Sequence, residues 1–173
     1  LVKEGGVAVN VNSVLTDATA AAKDFIVDER VKGIGPSAFK DNQNITGVSM
    51  PDSVTAIGDY AFDNTAIKEV DISKGVETIG MHAFDNCPNL ETVTIPAESV
   101  LREIGEEAFC QAPIDTINIP KSVTTIGARA FAGCLNLETV KIPEDSNLTS
   151  IGNQAFAANA SMTSIELPNS VTS

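Results

Sequence analysis

The chain has 173 residues, of which 43% are hydrophobic, and this is enough apolar material for the core of one domain of ordinary size. Its 23 acidic and 11 basic residues give a formal net charge of −12, which argues against nucleic-acid partners and anionic membrane surfaces, because both are bound through Lys and Arg. No apolar stretch approaches the ~18 residues that a transmembrane helix needs, so we expect no direct membrane insertion.

The beginning of the chain does not follow the pattern of the remainder, and residues 1–24 are predicted to form an N-terminal cap or linker. Alternating valines over residues 7–11 predict a strand, and residues 17–23 favour a helical turn. A partial unit over residues 25–34 lacks the Ala-Phe pair that precedes every later unit, so the repeat array is predicted to cover residues 25–173.

An Ala-Phe pair recurs six times along the array. Successive phenylalanines are 22 to 25 residues apart, and an Ile-Gly pair begins five residues before each of them. Six of the seven Phe residues of the chain occupy this one position. A fixed period of this length is typical of a solenoid, in which each repeat buries its apolar side against its neighbours. The repeated phenylalanines are Phe39, Phe62, Phe84, Phe109, Phe131 and Phe156.

A second motif, L-x-x-V-x-I-P, follows each of these phenylalanines, with Ser73 in place of one proline. The alternation V-x-I with β-branched residues predicts a short strand that turns one face inward, and the proline ends it because proline has no N–H. The S-V-T-x-I-G segment, as in residues 53–58, predicts a second short strand. Its glycine is expected either to take a positive φ or to allow close packing between coils.

The x-x-A-F-x-x segment is too short for a full helix and predicts a single helical or 3-10 turn that places Ala and Phe in the core. The predicted fold is therefore a β-rich α/β repeat. Its short strands pair in parallel with their counterparts in neighbouring coils, and six phenylalanine rings share one interior column.

The full repeat, L-x-x-V-x-I-P followed by S-V-T-x-I-G-x-x-A-F-x-x-C, closely resembles the BspA-like leucine-rich repeat, also called the Treponema pallidum type. The resemblance covers residues 25–173. It implies a right-handed leucine-rich-repeat solenoid and a protein secreted to the surface of a bacterium. It also implies adhesion to host extracellular-matrix proteins or to other cells. The consensus Cys position is filled by Cys87 and Cys134, and in the other repeats by Asn42, Thr65, Ala112 and Asn159.

Leucine-rich arrays bind through the exposed positions of their strands, because inward and outward residues alternate along a strand. The residue between Val and Ile forms one exposed column, and the residue before Val forms a second. The side chains of both columns are small and polar, with no aromatic residue and no Arg. Two interpretations of this face therefore remain: a solvated surface, or a binding surface that depends on avidity. The predicted ligand-binding residues are Ser49, Asp71, Thr94, Asn118 and Lys141 in the first column and Glu69, Thr92, Thr116 and Thr139 in the second, and Glu166, Gly47 and Ser164 complete the columns.

The three cysteines are predicted to be buried free thiols, because an odd number excludes a complete disulfide framework within one chain. Cys87 and Cys134 share a repeat position but lie two units apart, at a separation of about 10 Å, which is too far for a disulfide. Cys110 occupies a different position, directly after Phe109.

The only histidine, His82, has no evident catalytic partner in the repeat register, and the sequence has no C-x-x-C motif. We therefore predict no catalytic residue, no cofactor and no metal ligand. Asp-Asn pairs at 41–42, 63–64 and 85–86 are compatible with a carboxylate ladder for Ca²⁺, but Asp and Asn are also common turn residues, and the turn interpretation is favoured.

These observations favour an extracellular bacterial module that mediates adhesion by binding a host extracellular-matrix or cell-surface protein, without enzymatic activity. The alternative is a structural spacer or stalk that displays another domain of a larger surface protein. A seventh unit begins at Pro168 and is incomplete at Ser173, and no signal-like segment follows Leu1. We accordingly expect further repeats or domains beyond Ser173, and a signal and anchor outside this stretch.

Overall fold

A computed structural model of the chain describes residues 2–4, 7–10, 12–21 and 23–173. In it the polypeptide forms a β-solenoid of the right-handed leucine-rich-repeat type, with about six turns and short strands. The strands are β1 Val2–Glu4, β2 Val7–Val9, β3 Val14–Asp17, β4 Lys23–Ile26, β5 Gly33–Ile34, β6 Ile45–Ser49, β7 Ala56–Ile57, β8 Glu69–Asp71, β9 Thr78–Ile79, β10 Thr92–Thr94, β11 Glu103–Ile104, β12 Thr116–Asn118, β13 Thr125–Ile126, β14 Thr139–Lys141 and β15 Ser150–Ile151.

Two sets of parallel strands run along the solenoid. The V-x-I motifs form one set, with hydrogen-bonded ladders β4-β6-β8-β10 and β12-β14. The S-V-T-x-I-G segments form the other set, in the order β3-β5-β7-β9-β11-β13-β15, extended at one end by antiparallel β2 and β1. Both predicted strands of the repeat are confirmed except in the last unit, where residues 162–167 form no strand. The second strand is only two residues long because the chain turns again at the glycine.

The N-terminal strands join the solenoid directly. β3 pairs in parallel with β5, and Leu15 of β3 is buried in the common core. The strand predicted over residues 7–11 is confirmed for Val7–Val9, whereas Val11 lies outside the described residues. The described part of 17–23 contains a turn, and the predicted boundary between cap and array at residue 24 stays a prediction.

The phenylalanine column is present as predicted. Neighbouring rings are stacked with centroids 4.6, 4.9, 5.1, 5.3 and 5.4 Å apart from Phe39 to Phe156, and their planes differ by at most 11°. Phe25 extends the column, because its ring meets that of Phe39 edge to face at 5.4 Å. The five rings from Phe39 to Phe131 are fully buried, so this column is the centre of the hydrophobic core.

The predicted helical or 3-10 turn around each Ala-Phe pair is not confirmed. In the fourth repeat, the N–H groups of Glu107, Phe109 and Gln111 donate to carbonyl oxygens of the next coil at 2.8–2.9 Å. The N–H groups of the two intervening residues, Ala108 and Cys110, donate instead to carbonyl oxygens three residues earlier in their own coil. A helix would use every N–H within its own segment, whereas here every second N–H links two coils.

This alternation requires a left-handed backbone on both sides of each Ala-Phe pair, as at Glu107 and Gln111, whose φ angles are 53° and 61°. Along the part of the chain that the structure covers, the segment is thus a stacked turn.

Among the described residues, no helix has the length and apolar character needed to cross a membrane.

The glycine of the Ile-Gly pair serves close packing between coils. A Cβ built on Gly105 would lie 2.6 Å from the carbonyl carbon of Gly80 and 2.8 Å from the nitrogen of Met81. Among the described glycines, positive φ occurs at Gly133, which is not part of an Ile-Gly pair. Of the two roles expected for this glycine, close packing between coils is the one that the structure supports.

Candidate binding surface

The two exposed columns of the V-x-I strands are in register, as the sequence predicts. Ser49, Asp71 and Thr94 are neighbours in adjacent strands and all three are exposed. Asn118 and Lys141 continue this column in the β12-β14 pair and are also exposed. The inward neighbours alternate with them in the core, so the first predicted column lies on one continuous surface of the solenoid.

The second predicted column is also aligned but is less uniform. Glu69 pairs with Thr92, and Thr116 with Thr139, and of these four only Thr116 is half-buried. Gly47, in the same column, has no side chain and is buried. A Cβ there would lie 3.1 Å from the carboxylate of Asp24, which covers this position. We call the exposed side of the V-x-I strands, with both columns, the strand face.

The sequence reasoning missed the first member of each column. Asp24 and Ile26 of β4 pair with Gly47 and Ser49, and the Ile26 side chain is 78% exposed at the end of the strand face. The sequence contains the pattern that indicates them. Phe25 and Val27 occupy the inward positions of a V-x-I motif, so Asp24 and Ile26 fall at its outward positions. The partial first unit therefore contributes an exposed apolar residue to a face that is otherwise polar.

A groove of about 1090 Å³ opens on the strand face in its C-terminal half. It forms where the ladder is interrupted, since β10 is not hydrogen-bonded to β12, and residues 162–167 of the last unit form no ladder with β14. Of the inward side chains beside this gap, Ile142 and Ile165 are half-buried, whereas Ile95, Ile119 and Val140 stay buried. The groove is lined by Ile95, Ile119, Val140, Ile142 and Ile165 together with Asn118, Thr139, Lys141, Ser164 and Glu166.

Charges are balanced along this groove although the chain as a whole is strongly acidic. Lys121 and Lys141 lie in its lining together with Glu138 and Glu166. Lys121 also forms an exposed ion pair of 3.7 Å with Asp145. The groove thus combines an apolar floor with both signs of charge at its edges, and it includes three of the predicted ligand-binding residues: Asn118, Thr139 and Lys141.

The carboxylates of the three Asp-Asn pairs are not in one register, because Asp63 and Asp85 share a repeat position that Asp41 does not. The carboxylate of Asp63 forms an ion pair of 2.6 Å with Lys40, and that of Asp41 accepts a hydrogen bond of 2.7 Å from Asn64. Asp41 shares a repeat position with Asn64 and Asn86, one residue further along than Asp63. All three residues of this position have positive φ, which supports the turn interpretation.

His82 has partners that the sequence did not reveal. Its Nδ1 lies 2.9 Å from the carboxylate of Asp85 and 3.7 Å from that of Glu107, and its ring stacks on Tyr60 at 4.7 Å. Asp85 is three residues away across the turn, and Glu107 occupies the position of His82 in the next coil. Predicting the contacts would have required knowing that this segment is a stacked turn.

A model of the BspA type leucine-rich repeat region matches the chain with six copies, over residues 17–134 and 102–173. The chain belongs to the BspA-type leucine-rich-repeat family. No curated protein matches it significantly.

Solved structures of other bacterial leucine-rich-repeat proteins share the fold of this BspA-type chain. A protein from Bacteroides ovatus is 29% identical, with a TM-score of 0.79, over 99% of this chain and 45% of its own. A leucine-rich cell surface protein from Faecalibacterium prausnitzii is 25% identical, with a TM-score of 0.74, over 94% of this chain and 53% of its own. The T. pallidum leucine-rich-repeat protein is 24% identical, with a TM-score of 0.73, over 85% of this chain and 78% of its own. The chain therefore spans about half the length of the first two.

In the third and fifth repeats, the Cys position of the BspA-type repeat holds a buried hydrogen-bond donor. The thiol of Cys87 donates to the carbonyl of Phe62 at 3.0 Å, and that of Cys134 to the carbonyl of Phe109 at 3.2 Å. In both cases the acceptor belongs to the preceding coil. All three cysteines are free and buried, as predicted, and burial raises the pKa of Cys87 to about 11 and that of Cys134 to about 12.

Replacing Cys87 by Ser is expected to destabilise the protein less than replacing it by Ala. Serine keeps a donor for the Phe62 carbonyl, whereas alanine removes a hydrogen bond worth about 1 kcal/mol. Urea unfolding of both variants measures the difference, and Cys134 provides a matched pair of substitutions. Equal losses for Ser and Ala at both positions would contradict this role.

Proposed function

We propose that the array is an adhesion module of a bacterial surface protein and that it binds a protein partner in the groove of the strand face. The observation that carries this proposal is the groove itself. It has a volume of about 1090 Å³, and the half-buried side chains of Ile142 and Ile165 lie in it between polar side chains. An apolar floor supplies the driving force for association, and the polar edges supply orientation.

The groove is better suited to a segment of a protein than to a small molecule. Its volume is at the upper limit of typical small-ligand sites, which occupy about 300–1,000 Å³, and it lies along several repeats. It has neither the aromatic nor the Arg side chains that usually dominate tight interfaces. We therefore expect weak binding per module and useful affinity only when several modules or molecules bind together.

We propose a host extracellular-matrix or cell-surface protein as the partner, as the resemblance to the BspA-like repeat implies, and the bacterial surface as the location. A relative of similar fold is described as a leucine-rich cell surface protein. The chain has a net charge of −12, so the balanced charges of the groove distinguish it from the remaining acidic surface, which repels other acidic proteins. No catalytic role is assigned to any residue of the strand face.

The double variant Thr139→Glu/Lys141→Glu tests the proposal, since it places two new carboxylates in the groove. Both side chains are exposed, so the free energy of unfolding should change by no more than about 0.5 kcal/mol. Retention of the protein on immobilised extracellular-matrix extract should fall at least about tenfold. Removing the two added carboxylates from water at the interface should cost more than about 1.4 kcal/mol, which corresponds to a tenfold loss of affinity.

The matched control is Lys32→Glu/Thr78→Glu, which changes the net charge equally at exposed positions away from the groove. The control should be retained like the unmodified protein. Equal loss of retention in both double variants would attribute binding to overall charge, and this would contradict a site in the groove. If the unmodified protein were not retained at all, adhesion by this module would be wrong and the spacer alternative would stand.

A further inference from the structure

Beside the phenylalanine column, His82, Asp85 and Glu107 form a compact cluster on the outer side of the stacked turns. His82 and Glu107 occupy the position two residues before Phe84 and Phe109, so coil stacking brings their side chains together. The hydrogen bond from the Asp85 N–H to the His82 carbonyl closes the turn that brings Asp85 beside His82. One potential ligand atom from each residue lies within 4.8 Å of the other two.

We infer that these three side chains form a binding site for a divalent transition-metal ion of the Zn²⁺ type. His82 Nδ1 is 2.9 Å from Asp85 Oδ2 and 3.7 Å from Glu107 Oε2. Ligands at about 2.0–2.1 Å from a tetrahedral Zn²⁺ are on the order of 3.3 Å from one another, and side-chain rotations would have to bring the three atoms from within 4.8 Å to this spacing. One imidazole nitrogen with two carboxylate oxygens favours Zn²⁺ over Ca²⁺ and Mg²⁺, which prefer oxygen alone.

An unsatisfied buried oxygen independently points to a cation here. Asp85 is only 7% exposed, and its Oδ1 has no hydrogen-bond partner. Burying a carboxylate oxygen without a partner is unfavourable. A bound cation beside this carboxylate would remove the penalty.

The groups around the cluster leave the ligand atoms available. Arg129 contacts Oε1 of Glu107 at 3.1 Å, whereas the other carboxylate oxygen, Oε2, lies 3.7 Å from His82 Nδ1. Tyr60 stacks on the imidazole with planes 11° apart and holds its orientation from the opposite side. The nearby Cys110 thiol is not one of the ligand atoms that lie within 4.8 Å of one another.

The alternative is that His82, Asp85 and Glu107 pair only with one another and hold no ion, and Arg129→Gln separates the two accounts. If a metal binds, removing the arginine should strengthen Zn²⁺ binding, because Glu107 loses a competing cation. If the cluster is only an ion pair, neither the unmodified protein nor this variant should bind Zn²⁺ at one ion per chain.

Calorimetric titration of the chelator-treated protein with Zn²⁺, and separately with Ca²⁺, is the test. We expect one Zn²⁺ per chain and much weaker Ca²⁺ binding. His82→Gln and Glu107→Gln should each weaken Zn²⁺ binding by at least about tenfold, because even residues behind a metal ligand contribute 10–100-fold. Melting curves without metal establish that each variant is folded.

Glu138→Gln on the strand face and Cys110→Ala beside the cluster are the controls, and both should bind Zn²⁺ as the unmodified protein does. Unchanged affinity in both His82→Gln and Glu107→Gln would overturn the proposal, as would the absence of stoichiometric binding by the unmodified protein. The readout is independent of adhesion, so the metal site and the groove stand or fall separately.

Discussion

Phe109→Ala is expected to cost about 3–5 kcal/mol of unfolding free energy. The Phe109 ring is fully buried between the rings of Phe84 and Phe131, with centroids at 5.1 and 5.3 Å. Alanine would leave a cavity between two coils and remove both stacking contacts. In a solenoid each coil contacts only the coils next to it, so few other contacts can compensate for those lost around the cavity. Urea unfolding followed by circular dichroism measures it.

The matched control is Phe156→Ala at the end of the column. This ring is half-buried and, within the column, stacks on Phe131 alone, at 5.4 Å. Its loss should be clearly smaller than that of Phe109→Ala. Equal losses at the two positions, or a loss below about 1 kcal/mol at Phe109, would be incompatible with a continuous column of rings.

Gly105→Ala is expected to cost about 3 kcal/mol, although it adds a single methyl group. The new Cβ would lie 2.6–2.8 Å from backbone atoms of Gly80 and Met81, which are part of the neighbouring coil and cannot rotate away. The coils would have to separate locally, and this would weaken the hydrogen bond of 2.8 Å from the Gly105 N–H to the Ile79 carbonyl.

Gly33→Ala is the control for the glycine prediction. A Cβ at Gly33 would meet its nearest atom, the carbonyl oxygen of Ala56, at 3.6 Å, an ordinary contact. This variant should be neutral or slightly stabilising, because alanine has less conformational freedom to lose on folding. If both alanine variants unfold at the same urea concentration, close approach between coils is not the reason for the Ile-Gly pair.

The parts of the fold that repeat could be predicted from the sequence. A fixed period places chemically similar residues at equivalent positions, so the phenylalanine column, both strands and the alignment of Ser49 with Asp71 follow from spacing alone. The buried free thiols follow in the same way. Each of these features depends only on which residues share a position.

The stacked turn could not be predicted in this way, because residue types do not reveal whether an N–H donates within its own coil or to the next one. Glu107 has a positive φ here, which is uncommon for residues other than Gly, Asn, Asp and His. The partners of His82 were missed for the same reason.

The groove was missed for a different reason. Met162, Ile165 and Leu167 match the strand motif as well as the paired units do, although their segment does not pair with β14. The position of the groove therefore depends on how far neighbouring strands separate, which a periodic pattern does not encode.

The central claim is that phenylalanine rings of adjacent coils contact one another in a single column. A double-mutant cycle of Phe84→Leu and Phe109→Leu, measured by urea unfolding, tests it most directly. We expect a coupling energy of about 0.5–1.5 kcal/mol for this pair, whose centroids are 5.1 Å apart. For Phe39 and Phe131, which are separated by three intervening rings, the coupling should be within about 0.5 kcal/mol of zero. Equal coupling energies for the two pairs would contradict the stacked column.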